Sequence, residues 1–233
     1  MQCNQRRRLI DMVFMAILAA GATQAAAPTA VSQSDALAGL KAALSQAATA
    51  AVANLGKPDG FLGNPEVHIP LPGKLQDAQK MLKLVGLGSQ ADELEQTMNR
   101  AAEDAVPEAK SLLVEAVKQM SVQDARSVLT GGDDAGTQYF RRVTQEKLTA
   151  RFLPIVRQST QKLQLASQYN SLAAQAAKFG LVDARDASVE SYVTAKALDG
   201  LYLMMAREEK AIRHDPLGQA SQLLRRVFGS IQR

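Results

Sequence analysis

From residue 34 onward, apolar positions recur three and four residues apart, the spacing that lines one face of an α-helix. Leu37, Leu40, Leu44, Ala47, Ala48, Ala51 and Leu55 make the first stripe, and Ser32 with Asp35 forms a capping box ahead of it. The pattern then stops. Gly56 to Gly73 reads GKPDGFLGNPEVHIPLPG, and four Pro and four Gly in eighteen residues forbid a helix. Connections this long either carry function or pack with their own side chains, and Phe61, Leu62, Val67, Ile69 and Leu71 point to packing.

Helical periodicity resumes at Lys74–Val85 and, after Gly86 and Gly88, from Ser89 through Leu94, Met98, Ala101, Ala102 and Ala105. Pro107 kinks that helix or opens the next, which carries Leu112, Leu113, Ala116, Val117 and Met120. Ser121 and Asp124 make a second capping box, and Gly131–Gly132 stop the short helix behind it. A helix from near Asp133 carries Phe140, Val143, Phe152, Ile155 and Val156 past Pro154, and another from Leu165 to Phe179 ends at Gly180. Ser188 to Arg213 is the longest run without a breaker. It is apolar nearly all round, which predicts the central helix of a bundle, and Asp215–Pro216 then open a terminal helix through Phe228. The expected architecture is all-α, a single-domain irregular helical bundle with one long extended Pro/Gly-rich segment.

The first residues follow another logic. Arg6 to Arg8, the short apolar run Met12–Ala20 and the small residues through Ala27 predict a secretory signal over 1–27, cleaved between 22 and 27. A short linker, 28–33, and one helical domain, 34–229, follow. The apolar run is too short to span a bilayer, and no transmembrane span is expected in the mature chain. The only cysteine, Cys3, precedes that run, so the mature protein has neither a lipid-bearing cysteine nor a disulfide. An exported, periplasmic protein is the expectation.

Composition refines this picture. Abundant Ala and Leu, no Trp and 4% aromatic residues favour helices over sheets. Removing the signal takes away three Arg and one Asp, leaving 24 basic against 22 acidic residues. Without a basic block interleaved with aromatics, nucleic-acid binding is not expected.

Candidate chemistry is sparse. The phosphate-binding GxxxxGK, the nucleophile GxSxG, the zinc-binding HExxH and calcium-loop patterns do not occur, and no cofactor or metal is predicted. His68 and His214 stand alone, without a second ligand in sequence. Two places are less bland. In TGGDDAGTQYFRR, one of Asp133 and Asp134 suffices to cap the following helix, which leaves the other for a partner or ion. In the long helix, a count of about 100° per residue sets Lys196 inside the apolar arc with Asp199 at its edge. A lysine there must reach solvent or pair, and Asp199, Asp133 and Asp134 are the expected partners. The candidate polar cluster is therefore Asp133, Asp134, Arg141, Lys196 and Asp199. The candidate binding segment is Phe61, Asn64, Glu66 and His68.

The strings GKPDGFLGNPEVHIPLPGKL, NRAAEDAVPEAK, LTGGDDAGTQYFRR, FLPIVRQ and YVTAKALDGLYLMMAREEKAIRHDP resemble successive motifs of a Gram-negative bacterial family known only as a domain of unknown function, the one numbered 4197. The resemblance covers roughly Ser34 to Gly229. It implies an exported helical domain and supplies no catalytic residues. The chain departs from the family's pattern at Gly136, where members carry Ala, and at His68, where they carry a longer basic side chain. The Gly136 departure is expected to loosen the start of the helix that follows the two acids. The functional expectation is a non-catalytic envelope protein that binds an envelope partner or a small or lipidic ligand. The alternative is a carboxylate- and lysine-dependent enzyme with a divalent ion at the GGDD turn.

Overall fold

The structure is a computed structural model that describes residues 33–77, 83–84, 86, 88–178 and 186–214, all within one compact unit, Val31–Arg233. The expected signal segment, the Gly180 cap and the terminal helix from Asp215 lie outside those residues. Among the described residues there are helices and no strands. We number the helices α1 (Gln33–Leu55), α2 (Gly73–Asp77), α3 (Gly88–Ala105), α4 (Ala109–Gln119), α5 (Val122–Thr130), α6 (Ala135–Thr160), α7 (Gln164–Lys178) and α8 (Val189–His214). A single 3₁₀ turn, Val106–Glu108, joins α3 to α4, with Pro107 in the early position where its missing N–H costs least.

The periodic stripes become the core. Leu40, Ala43, Leu44, Ala47, Ala48, Ala51 and Leu55 of α1 are buried, as are Leu94, Met98, Ala101, Ala102 and Ala105 of α3. By length and composition α1 meets the requirement for a membrane span, but its apolar stripe faces the other helices, chiefly α8 and α4. Helix α8 is the central element: its widest contact is with α6, and α1 and α3 also pack against it. Val189, Val193, Ala197, Leu201, Tyr202 and Met205 are all buried along it.

Local rules hold at the joints. Ser121 and Asp124 close the capping box on α5, and the Ser121 hydroxyl is the main reason the Asp124 carboxyl titrates below the usual range. Pro154 lies within α6, which continues through it because the carbonyl it orphans, that of Ala150, sits on an exposed face open to water.

The Pro/Gly-rich stretch from Gly56 to Pro72 is a strap lying across α3 and α8. It is extended only over its last residues: 57–67 fold into successive turns that bond their own backbone, and side chains complete the remaining hydrogen bonds. Asn99 of α3 accepts from the Ile69 N–H at 2.9 Å and donates to the Ile69 carbonyl at 2.8 Å, imitating one rung of a β-ladder. One carboxylate oxygen of buried Glu103 accepts from the N–H groups of Phe61 and Leu62, each at 3.0 Å. The other is held by Arg100, which reaches on to Asp59. Phe61, Val67, Ile69 and Leu71 are buried and Leu62 half-buried. Each fully buried side chain of this size contributes about 1.5–3 kcal/mol.

Candidate functional site

The GGDD turn and the long helix meet, through residues the sequence analysis did not single out. The N–H groups of Gly136 and Thr137 open α6 and donate to the two carboxylate oxygens of Glu209 of α8, both at 2.8 Å, and the Thr137 hydroxyl adds a third bond. Arg213, one turn on, bonds Glu209 at 2.8 Å and donates to the Val128 carbonyl near the end of α5. A carboxylate thus faces the positive end of one helix and a guanidinium the negative end of the previous one. This staple also explains Gly136: a Cβ there would stand 2.3 Å from Leu44 Cδ2 and 3.0 Å from a Glu209 oxygen. The glycine lets Leu44 and Glu209 close on the helix start, so the expected loosening of that turn is replaced by tight packing.

The capping expectation for the acids is corrected accordingly. Asp134 sits at the N-cap with no capping bond, and its carboxylate accepts from Gln138 at 2.9 Å instead. Asp133 is exposed and faces His214 at 3.1 Å and Lys210 at 3.6 Å. The His214 hydrogen bond is the first cause of its lowered pKa. The acids are dispensable as caps because Glu209 already satisfies the leading amides.

Lys196 is exposed, and its ammonium lies 5.7 Å from the centroid of the Tyr192 ring rather than against the acids of the turn. The arc in which the count of about 100° per residue sets Lys196 also holds Leu203, and that side of α8 faces solvent. Leu203 is 41% exposed, and Lys196, Leu203, Arg207, Lys210 and His214 form the solvent stripe of α8. Asp199 accepts from Arg141 of α6 at 3.2 Å, about 16 Å along α8 from Lys210, so the five candidate residues divide between two places.

The strap's candidate binding residues are engaged within the fold. Phe61 is fully buried, the Asn64 side chain closes a turn onto the Glu66 N–H, Glu66 pairs with Arg207, and His68 lies 3.3 Å from Glu95. Among the described residues, no group of three or more His, Cys, Asp or Glu is placed to hold a metal ion.

A groove remains where Arg141 and Asp199 meet. Gln145, Thr149 and Leu153 of α6 line it on one side, and Ser191, Thr194, Ala195, Leu198 and Asp199 of α8 on the other, around a volume of about 270 Å³. Several of the lining residues are small, Thr149 on α6 and Ser191 and Ala195 on α8, so the two antiparallel helices leave space between them. At the Asp199 end the Arg141 guanidinium stacks 4.7 Å from the Tyr202 ring centroid. The buried Tyr202 hydroxyl reaches Thr144 at 3.0 Å and, because the Thr144 hydroxyl donates to the Phe140 carbonyl, Tyr202 is the donor. Burial raises the Tyr202 pKa and keeps that proton in place.

Thr194 is the exception within this arrangement. Thr144, Thr149, Thr160 and Ser171 each donate to the carbonyl four residues back, the usual fate of a helical hydroxyl. Thr194 is 2% exposed, yet its hydroxyl has no hydrogen-bond partner among the described residues, and the residue lines the groove. An unpartnered buried hydroxyl costs about 1–3 kcal/mol. Position 194 reads in sequence as an ordinary small helical residue, and nothing along the chain marks it.

A central helix wrapped by others, strapped by a Pro/Gly-rich segment and grooved along one seam defines an all-α domain. The chain matches the family described as "Protein of unknown function (DUF4197)" over residues 30–229, and it belongs to that family. No curated protein and no solved structure matches the chain.

Proposed function

We propose that this protein is an exported, non-catalytic binding domain that takes a small or lipidic neutral ligand in the groove between α6 and α8. The observation that carries the reading is Thr194, a buried hydroxyl without a partner among the described residues, on the wall of a groove lined by apolar, hydroxyl and amide groups with Asp199 at one end. Leu153, Ala195 and Leu198 suit a short apolar chain, while Thr194, Ser191 and Gln145 suit a hydroxyl or amide head. Arg141 already opposes Asp199 at the mouth, which favours an uncharged ligand over an ion.

1-Hexanol is a suitable probe. Titrated into labelled protein, it should give saturable amide shifts confined to residues 145–153 and 191–199. Shifts that rise linearly with concentration, or that scatter over the surface, would remove the groove as a site.

Export is part of the same proposal. The arginines, apolar run and small residues of 1–27 suit a secretory signal, and residues beyond the signal contain no cysteine for lipidation. N-terminal sequencing of periplasmic protein should find a start between Thr23 and Val31. A cytoplasmic product retaining Met1 or Gln2 would contradict export.

A further inference from the structure

Three glutamates are buried among the described residues, and two carry their own cation: Glu103 is bonded by Arg100 and Glu209 by Arg213. The third, Glu190, is 7% exposed, and its partners are neutral. Asn170 Nδ2 donates to its oxygens at 2.9 and 3.2 Å, and the Thr160 hydroxyl, already committed to the Val156 carbonyl, stands at 3.2 Å. These bonds tie α7 to α6 and α8. A neutral glutamine would keep the shorter Asn170 bond through its one oxygen and turn its amide N–H toward the Thr160 hydroxyl, which can accept it. Glu190 stands in the first turn of α8, where the helix dipole offsets part of its charge, but no side-chain cation among the described residues answers it, in a place where an unpaired charge is costly.

Glu190 lines a second groove, of about 560 Å³, between α7 and the adjoining ends of α6 and α8. Gln161, Ser167, Ser171 and Ser188 supply polar walls. Arg157 also lines it, exposed and without an ion pair among the described residues. A buried carboxylate and a free guanidinium on one polar groove are complementary to a molecule bearing an ammonium and a carboxylate. A single carboxylate falls short of the several oxygen ligands a divalent cation requires.

We propose that this groove binds a zwitterionic small molecule, an α-amino acid or a short peptide with both ends free, its ammonium on Glu190 and its carboxylate toward Arg157. The ligand supplies at Glu190 the cation that Arg100 and Arg213 supply at the other two glutamates. The proposal stands on different residues from the Thr194 groove and does not depend on it.

The test is titration of the whole mature protein with L-alanyl-L-alanine, followed by calorimetry and by the amide signals of Ser167, Asn170 and Ser188. Saturable binding is expected, weakened about tenfold or more in Glu190→Gln. N-acetyl-L-alanyl-L-alanine, which lacks the ammonium, should bind the wild-type protein no better than the dipeptide binds that variant. Glu190→Gln should melt at or above the wild-type temperature, whereas Glu209→Gln should melt below it. The proposal is overturned if the dipeptide gives no saturable signal, or if the acetylated peptide binds equally well. It is also overturned if Glu190→Gln lowers the melting temperature as much as Glu209→Gln, since the charge would then serve the fold.

Discussion

Tyr192 holds the strap to the central helix by donating its hydroxyl to the Pro70 carbonyl at 3.2 Å, and burial is the main reason its pKa rises from 10.0 to about 12. The neutral phenol is the form the folded state prefers. Its contribution is complete below pH 10 and is lost as the pH climbs through about 12. Urea midpoints at pH 8 and pH 11 should therefore differ more in the wild-type protein than in Tyr192→Phe. A variant as alkali-sensitive as the parent would show that Tyr192 does not govern this window. Residue-scale roles were also the hardest to read from sequence. Glu209 was legible in part, because Leu198, Tyr202, Met205, Glu209 and Ile212 share one stripe and a carboxylate on a buried stripe demands donors. What those donors are, the opening amides of a helix 72 residues earlier, depends on tertiary geometry.

At the scale of elements, Gly200 shows how the strap acts on the helix beneath it. Glycine inside a helix costs about 1 kcal/mol against alanine. Here a Cβ would lie 2.9 Å from the Phe61 ring and 3.2 Å from Val67, both buried strap residues with little freedom to move. Gly200→Ala should therefore destabilise the protein by about 1–3 kcal/mol despite its better helix propensity, and should speed proteolysis within residues 56–72. Denaturant unfolding decides the sign, and a stabilised variant would mean that the strap is not held against α8. The elements themselves were largely legible. Their ends are marked by Gly, Pro and the Ser121–Asp124 box, and those signals act locally. The strap was legible as a packed segment because its apolar residues have nowhere to go but inward. Its anchors were not, because Asn99 and Glu103 look like ordinary polar positions of an amphipathic helix until the strap lies across them.

For the molecule as a whole, the polar residues divide into two groups. Glu103 with Arg100, Glu209 with Arg213, and Asn99 complete hydrogen bonds that the fold itself leaves open. The Thr194 hydroxyl lies outside that group, on a groove between the two longest helices described. Small residues facing each other across a seam are invisible to a periodicity count, which explains why Arg141 and Asp199 were legible as candidates while the groove beside them was not. The binding role of the groove turns on whether the Thr194 hydroxyl serves the fold. The direct measurement is the unfolding free energy of Thr194→Val beside Thr144→Val, a buried threonine whose hydroxyl is bonded to Phe140 and Tyr202. Thr144→Val is expected to lose about 1–3 kcal/mol, while Thr194→Val keeps or gains stability and no longer gives saturable shifts with 1-hexanol. A Thr194→Val protein destabilised as much as Thr144→Val, with its 1-hexanol response intact, would contradict that role.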